Sequence, residues 1–165
     1  MGAEERIDMS ENGVGMQESD ATTVTLKTSR FGEIEIDQTR SLHFPEGILG
    51  FPEQKEYVIL EHKPGSPFCW LQSMEIPDLA FVMVDPLLVK SDFLEGLSPS
   101  DRRLFETEDG VRKAVFALVT IPPGRVDRMT VNLLGPVLID LKTRAASQVI
   151  LANSGYSHRH PFFPS

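Results

Sequence analysis

The feature that most constrains this chain is a succession of short apolar runs, none long enough to build a helical core. VTLKT (24–28) and EIEID (33–37) alternate apolar and polar residues with period two. They are followed by YVIL (57–60), FCWLQS (68–73), LAFVMV (79–84), AVFALVT (114–120), MTVNLL (129–134), PVLIDL (136–141) and SQVIL (147–151). All are rich in β-branched, aromatic or other large apolar residues and are punctuated by Pro, Gly, Asp and Asn, residues that break strands and make turns. Short strands at this spacing predict a barrel or a sandwich, since closure removes exposed sheet edges; the expectation is a mainly β, antiparallel, barrel-like single domain. Gly32 in the intervening SRFG supplies a hairpin-like reversal between the first two strands.

One segment breaks the pattern. In LSPSDRRLFETEDG (97–110), Ser98 stands at a helix N-cap, Pro99 at the first helical position and Asp101 three residues after the cap. This predicts one short helix, ended by Gly110 and docked through Leu104 and Phe105. Residues 1–22 predict a disordered acidic tail ahead of a domain over 23–165. They hold six acids against one arginine, five of the chain's eight net negative charges. An acidic chain repels phosphate backbones, and the basic pairs Arg102–Arg103 and Arg112–Lys113 lack flanking aromatics for stacking bases. With one cysteine, no basic-then-apolar start and no long apolar run, the expectation is a cytoplasmic protein that neither enters a membrane nor contacts nucleic acid directly.

No residue pattern here specifies catalysis. HFPEGILGF (43–51) has no Lys-Ser/Thr pair after its second glycine and no G-x-G spacing, so it is neither a phosphate loop nor a dinucleotide loop. It has turn chemistry, and its Phe44, Ile48, Leu49 and Phe51 form either a buried plug or an exposed apolar knuckle. Four histidines show no convergence on a metal. Cys69, between Phe68 and Trp70, reads as a packed, inert thiol. Glu75, Asp78 and Asp85 sit at strand ends beside Pro77 and Pro86, where acids are ordinarily solvated. Two other classes stay open. A barrel-type hydrolase or isomerase requires a deep polar pocket with convergent acids or histidines. An OB-like nucleic-acid binder requires a basic groove with exposed aromatics.

Four segments, in order, resemble the flagellar assembly factor FliW family. They are RFGEIEID (30–37) leading into LHFPEGILGF (42–51), PFCWLQSMEIPDLAFVMVDPLL (67–88), MTVNLLGPVLIDLKTRAASQVIL (129–151) and YSHRHPF (156–162). The resemblance spans residues 24–162. It implies a small β protein without catalysis or cofactor, monomeric when free. It also implies two partners, the RNA-binding translational repressor CsrA and newly made flagellin. In such a switch, flagellin held in the cytoplasm occupies the protein and leaves CsrA free to repress flagellin mRNA; after export, the protein antagonises CsrA.

The expected docking residues are apolar side chains in turns and acids that meet basic partners. Ile48 and Leu49 form one candidate patch, and Asp85, Leu87 and Leu88 another. Asn132 reads as structural. Tyr156, His158 and Arg159 read as anchors of the C-terminal segment, with partner binding as the second reading of His158 and Arg159.

Overall fold

In the computed structural model, which describes residues 22–164, the alternating runs become antiparallel strands. The acidic segment expected over 1–22 lies, but for Thr22, outside the described residues. Over the span read as one domain the chain divides into two compact units. The boundary falls between Phe81 and Val82, inside strand β6 (Ala80–Val84).

In the first unit, β1 (Thr23–Thr28) and β2 (Gly32–Asp37) pair from Thr23 opposite Asp37 to Thr28 opposite Gly32. The Thr28 hydroxyl donates to the Gly32 carbonyl (2.9 Å) and accepts from the Phe31 amide (2.8 Å), which fixes the turn. Alternation then sorts the faces: Leu26 and Ile36 are buried, while Glu33, Glu35 and Asp37 face solvent. Strands β3 (Leu42–His43), β4 (Glu56–Glu61) and β5 (Phe68–Ser73) pair in that order. Val58 and Leu60 of β4 join Leu26 and Ile36 in one apolar cluster, with half-buried Phe31 and Trp70 packed against it. Each such side chain taken out of water contributes about 1.5–3 kcal/mol.

HFPEGILGF resolves as both of its readings at once. Phe44 and Ile48 are buried, with Phe44 edge-on to Tyr57 at 5.1 Å. Leu49 is 64% exposed and Phe51 38%. Two reversals cause the split. The Gly47 amide bonds the Phe44 carbonyl (2.9 Å), and the Phe51 amide returns to the Ile48 carbonyl (2.6 Å). Ile48 is therefore core, which corrects its place in an exposed patch; Leu49 and Phe51 form the outer surface of the turn.

In the second unit, the Val82–Val84 part of β6 pairs with β7 (Ala114–Thr120), which pairs with β9 (Val137–Ile139), which pairs with β10 (Ala146–Gln148). The far end of β7 pairs with β8 (Thr130–Val131), and β8 with β11 (His160–Pro161). Among the described residues, the strand pairings close on themselves in neither unit. The MTVNLL run shortens to two strand residues because Asn132 turns back, its side-chain oxygen accepting from the Gly135 amide (2.8 Å). This is the structural role expected of Asn132, held within its own turn.

The predicted helix forms as α1 (Pro99–Arg103), capped by Ser98, whose hydroxyl accepts from the Asp101 amide at 3.1 Å. It ends well before Gly110, which belongs instead to a turn closed by a Glu106–Arg112 bridge. Phe105 is buried as expected, but Leu104 is 39% exposed and does not dock the helix. Both residues lie beyond the end of α1 at Arg103, so neither belongs to a helix face.

Gly47 and Gly50 separate two costs of a side chain at positive φ. At Gly47 (φ +67°) an added Cβ would lie 2.4 Å from the Phe51 carbonyl oxygen; at Gly50 (φ +90°) it would meet nothing within 4 Å. Gly50→Ala is expected to lose about 1–2 kcal/mol from backbone strain alone. Gly47→Ala is expected to lose more, and urea unfolding of the two variants should rank them in that order.

Candidate partner-binding site

The second unit carries an open groove of ≈ 270 Å³. Its edge is made by the sequence-predicted patch. The Asp85 carboxylate accepts from the Leu87 amide (2.9 Å) and caps a single 3₁₀ turn over Pro86–Leu88. Pro86 is buried beneath the turn, Leu87 is half-buried along the groove, and Leu88 is 60% exposed. Phe93, Leu94, Arg112 and Lys113 also line the groove. Pattern reading noted Arg112 and Lys113 only as a basic pair, and it missed Phe93 and Leu94 because 89–97 has neither period and because Phe93 contacts a distant partner.

That partner is Tyr156. Its hydroxyl donates to the Phe93 carbonyl (2.6 Å), its ring stacks on the Phe93 ring at 5.2 Å, and the Lys90 ammonium lies 5.5 Å from its centroid. Burial raises the Tyr156 phenol above its ordinary range, so it remains the donor. Tyr156 thus anchors the C-terminal segment, as expected, and β11 completes the anchor. His158 and Arg159 take no part in that anchoring, since both are exposed in the turn before β11. Their surface position leaves partner contact as the reading open to them.

The strand-end acids Glu75, Asp78 and Asp85 are engaged separately. Glu75 accepts from the Lys55 (2.8 Å) and Glu56 (3.3 Å) amides, Asp78 accepts from the Ser29 hydroxyl, and Asp85 caps its own turn. They do not form the convergent polar pocket a hydrolase or isomerase requires. Among the described residues no group of three or more His, Cys, Asp or Glu is placed to hold a metal ion. The groove is of mixed charge, lined by Asp85 as well as Arg112 and Lys113, unlike the basic channel of a nucleic-acid binder. No helix among the described residues is long and apolar enough to cross a membrane.

Burial, and next the Glu61 carboxylate, push the Cys69 thiol from its ordinary 9.0 up to about 12. The packed thiol of the sequence reading is what the structure contains.

Fold and surface together define a class: a mainly antiparallel β scaffold whose strand-end acids Glu75, Asp78 and Asp85 bond within the fold and whose Leu49, Phe51 and Leu88 emerge at loops. The family model described as FliW protein matches residues 25–162, and this chain belongs to the FliW family. It is 39% identical over 140 residues to the "Flagellar assembly factor FliW" of Geobacter sulfurreducens, covering 85% of this chain and 87% of the relative. It is 37% identical over 138 residues to that of Natranaerobius thermophilus, covering 84% and 91%. A solved structure, "Crystal structure of the flagellar assembly factor FliW", superposes with a TM-score of 0.72 at 30% identity. That match covers 86% of this chain and 99% of the other.

Two measurements probe the site's construction. Tyr156→Phe removes the bond to Phe93 and is expected to cost about 1 kcal/mol in thermal or urea unfolding. The Cys69 and Tyr57 groups both titrate higher in the fold than free, Tyr57 from 10.0 to about 12. Their contribution is complete below pH 9 and is lost as pH rises toward 12, so stability should fall across that window. Cys69→Ala should flatten the lower part of the fall.

Proposed function

We propose that the chain acts by binding, engaging CsrA and flagellin and relieving CsrA repression of flagellin mRNA when flagellin has been exported. The observation that carries this reading is family membership over residues 25–162. The surface is compatible with it. Leu49, Phe51 and Leu88 present apolar side chains at turns, the form that protein docking sites take.

Charge supplies a route to antagonism. A chain of net charge −8 is drawn to a basic RNA-binding partner, which speeds encounter. Bound beside an RNA site, it repels phosphates over roughly one Debye length, about 8 Å at physiological salt. Flagellin and CsrA must then compete or be coupled, because a ligand indifferent to the other's presence shifts nothing.

The test is retention of purified, folded CsrA and flagellin by the immobilised full chain. Both are expected to be held, and retention of neither overturns the proposal. Leu88→Asp and Leu49→Asp, both at exposed positions, are expected to leave the melting temperature nearly unchanged. At least one of them should weaken a partner tenfold or more, read by calorimetric titration. Inhibition of CsrA–RNA binding should weaken as salt rises; an inhibition indifferent to salt removes the electrostatic route.

A further inference from the structure

The groove beside β7 occupies the place of one missing rung of the sheet. Backbone groups along a strand point alternately to its two edges. The Asn132 amide donates to the Leu118 carbonyl (2.9 Å), so the even-numbered residues of β7 face β8 and β9. The odd-numbered residues face the β6 edge, where Val119 pairs with Val82 and Ala117 with Val84. Further along the same edge the Lys113 amide donates to the Phe105 carbonyl (2.8 Å). Val115 stands between these two ends. The register of β6 sets residue 86 opposite it, and residue 86 is a proline with no amide to give. The Pro86 carbonyl is already engaged, accepting from the Val89 (3.1 Å) and Lys90 (3.0 Å) amides. Among the described residues, no hydrogen bond on this edge takes up the Val115 amide or carbonyl. Val115 is half-buried and lines the groove with Pro86 and Leu87.

One donor and one acceptor therefore lie side by side on the β6 edge, and their surroundings select what can meet both. A strand laid along β7 would gain this single rung, because the rungs on either side are held by Phe105 and Val84. A carboxylate accepts from the amide but opposes the carbonyl. A guanidinium or ammonium donates to the carbonyl, leaves the amide unpaired and meets the like charges of Arg112 and Lys113. A side-chain carboxamide carries an acceptor and a donor on one planar group without charge. Glutamine has one more methylene than asparagine to lay against the apolar Leu87, Phe93 and Leu94 of the groove. We propose that the groove receives a glutamine side chain of a protein partner, its oxygen accepting from the Val115 amide and its nitrogen donating to the Val115 carbonyl. This rests on the reading of the chain as a protein that acts by binding. It does not require that the partner be CsrA or flagellin, so both could be retained while the groove refuses glutamine.

Amide NMR and hydrogen exchange of the full chain, with N-acetyl-glutamine methylamide as probe, test it. In the chain alone the Val115 amide should exchange about tenfold faster than those of Lys113 and Ala117, and saturating probe should slow it about tenfold. Saturable shifts are expected at 85–87, 93–94 and 112–116. The methylamides of N-acetyl-glutamate, N-acetyl-methionine and N-acetyl-arginine share the probe's backbone and should bind about tenfold more weakly. Val115→Pro removes the donor while Ala114 and Phe116 keep their pairing with β9, so it should abolish binding in a folded chain. If that variant does not fold, the exchange of the Val115 amide decides the matter. A Val115 amide already protected in the chain alone, no saturable shift, equal binding of any of the three control compounds, or binding indifferent to Val115→Pro overturns the proposal. Free glutamine bound more tightly than the capped compound would identify a small-molecule site and overturn the assignment to a protein partner.

Discussion

The structure depends on satisfying the backbone groups that short strands leave over. A two- or three-residue strand pairs few of its amides, and the chain between strands must find acceptors elsewhere, since an unpaired buried amide costs as much as a lost hydrogen bond. Side chains supply them at turn after turn. Ser73 Oγ accepts from the Glu75 and Ile76 amides, Asp140 from those of Lys142 and Thr143, and Ser154 from that of Tyr156. The Thr143 amide bond, the largest influence on Asp140, holds that carboxyl below its ordinary value. This constraint also explains the chemistry. The acids that a catalytic reading would recruit, Glu75, Asp78 and Asp85, stand at strand ends and accept hydrogen bonds there from amides or from a hydroxyl of the same chain.

The same constraint decides what was legible in the sequence. FCWLQS and AVFALVT became strands over their whole lengths because each is long enough for its pattern to declare itself and each finds ladder partners on the way. PVLIDL did not, because Asp140 ends the strand: its amide bonds the Ala145 carbonyl (2.8 Å), and the turn places Arg144 at φ +67°. Strands β3 and β11 escaped because two residues cannot show a period. The helix was legible at its start, where Ser98-Pro99 and Asp101 carry a capping chemistry, and illegible at its end, where a β-bridge between Glu106 and Arg112 takes over.

The docking surface was partly legible for a related reason. The sequence marks HFPEGILGF as an apolar turn, but which of two adjacent residues, Ile48 or Leu49, points inward depends on the handedness of the turn around Gly47. Composition is blind to that. The Asp85–Leu88 patch was readable because Pro86 ends the FVMV strand and leaves a loop, whereas Phe93 is held in part by Tyr156, more than sixty positions later in the chain.

The outward row of Glu33, Glu35 and Asp37 on β2 has a consequence for a protein that presents apolar turns to others. A two-stranded ribbon offers unsatisfied edges, and edges recruit copies of themselves. Two molecules aligning along this ribbon would bring three carboxylates from each into mutual range, a like-charge penalty that rises with every residue of overlap. Any copy-to-copy pairing along the β2 edge would carry that cost in side chains lying outside the hairpin's core.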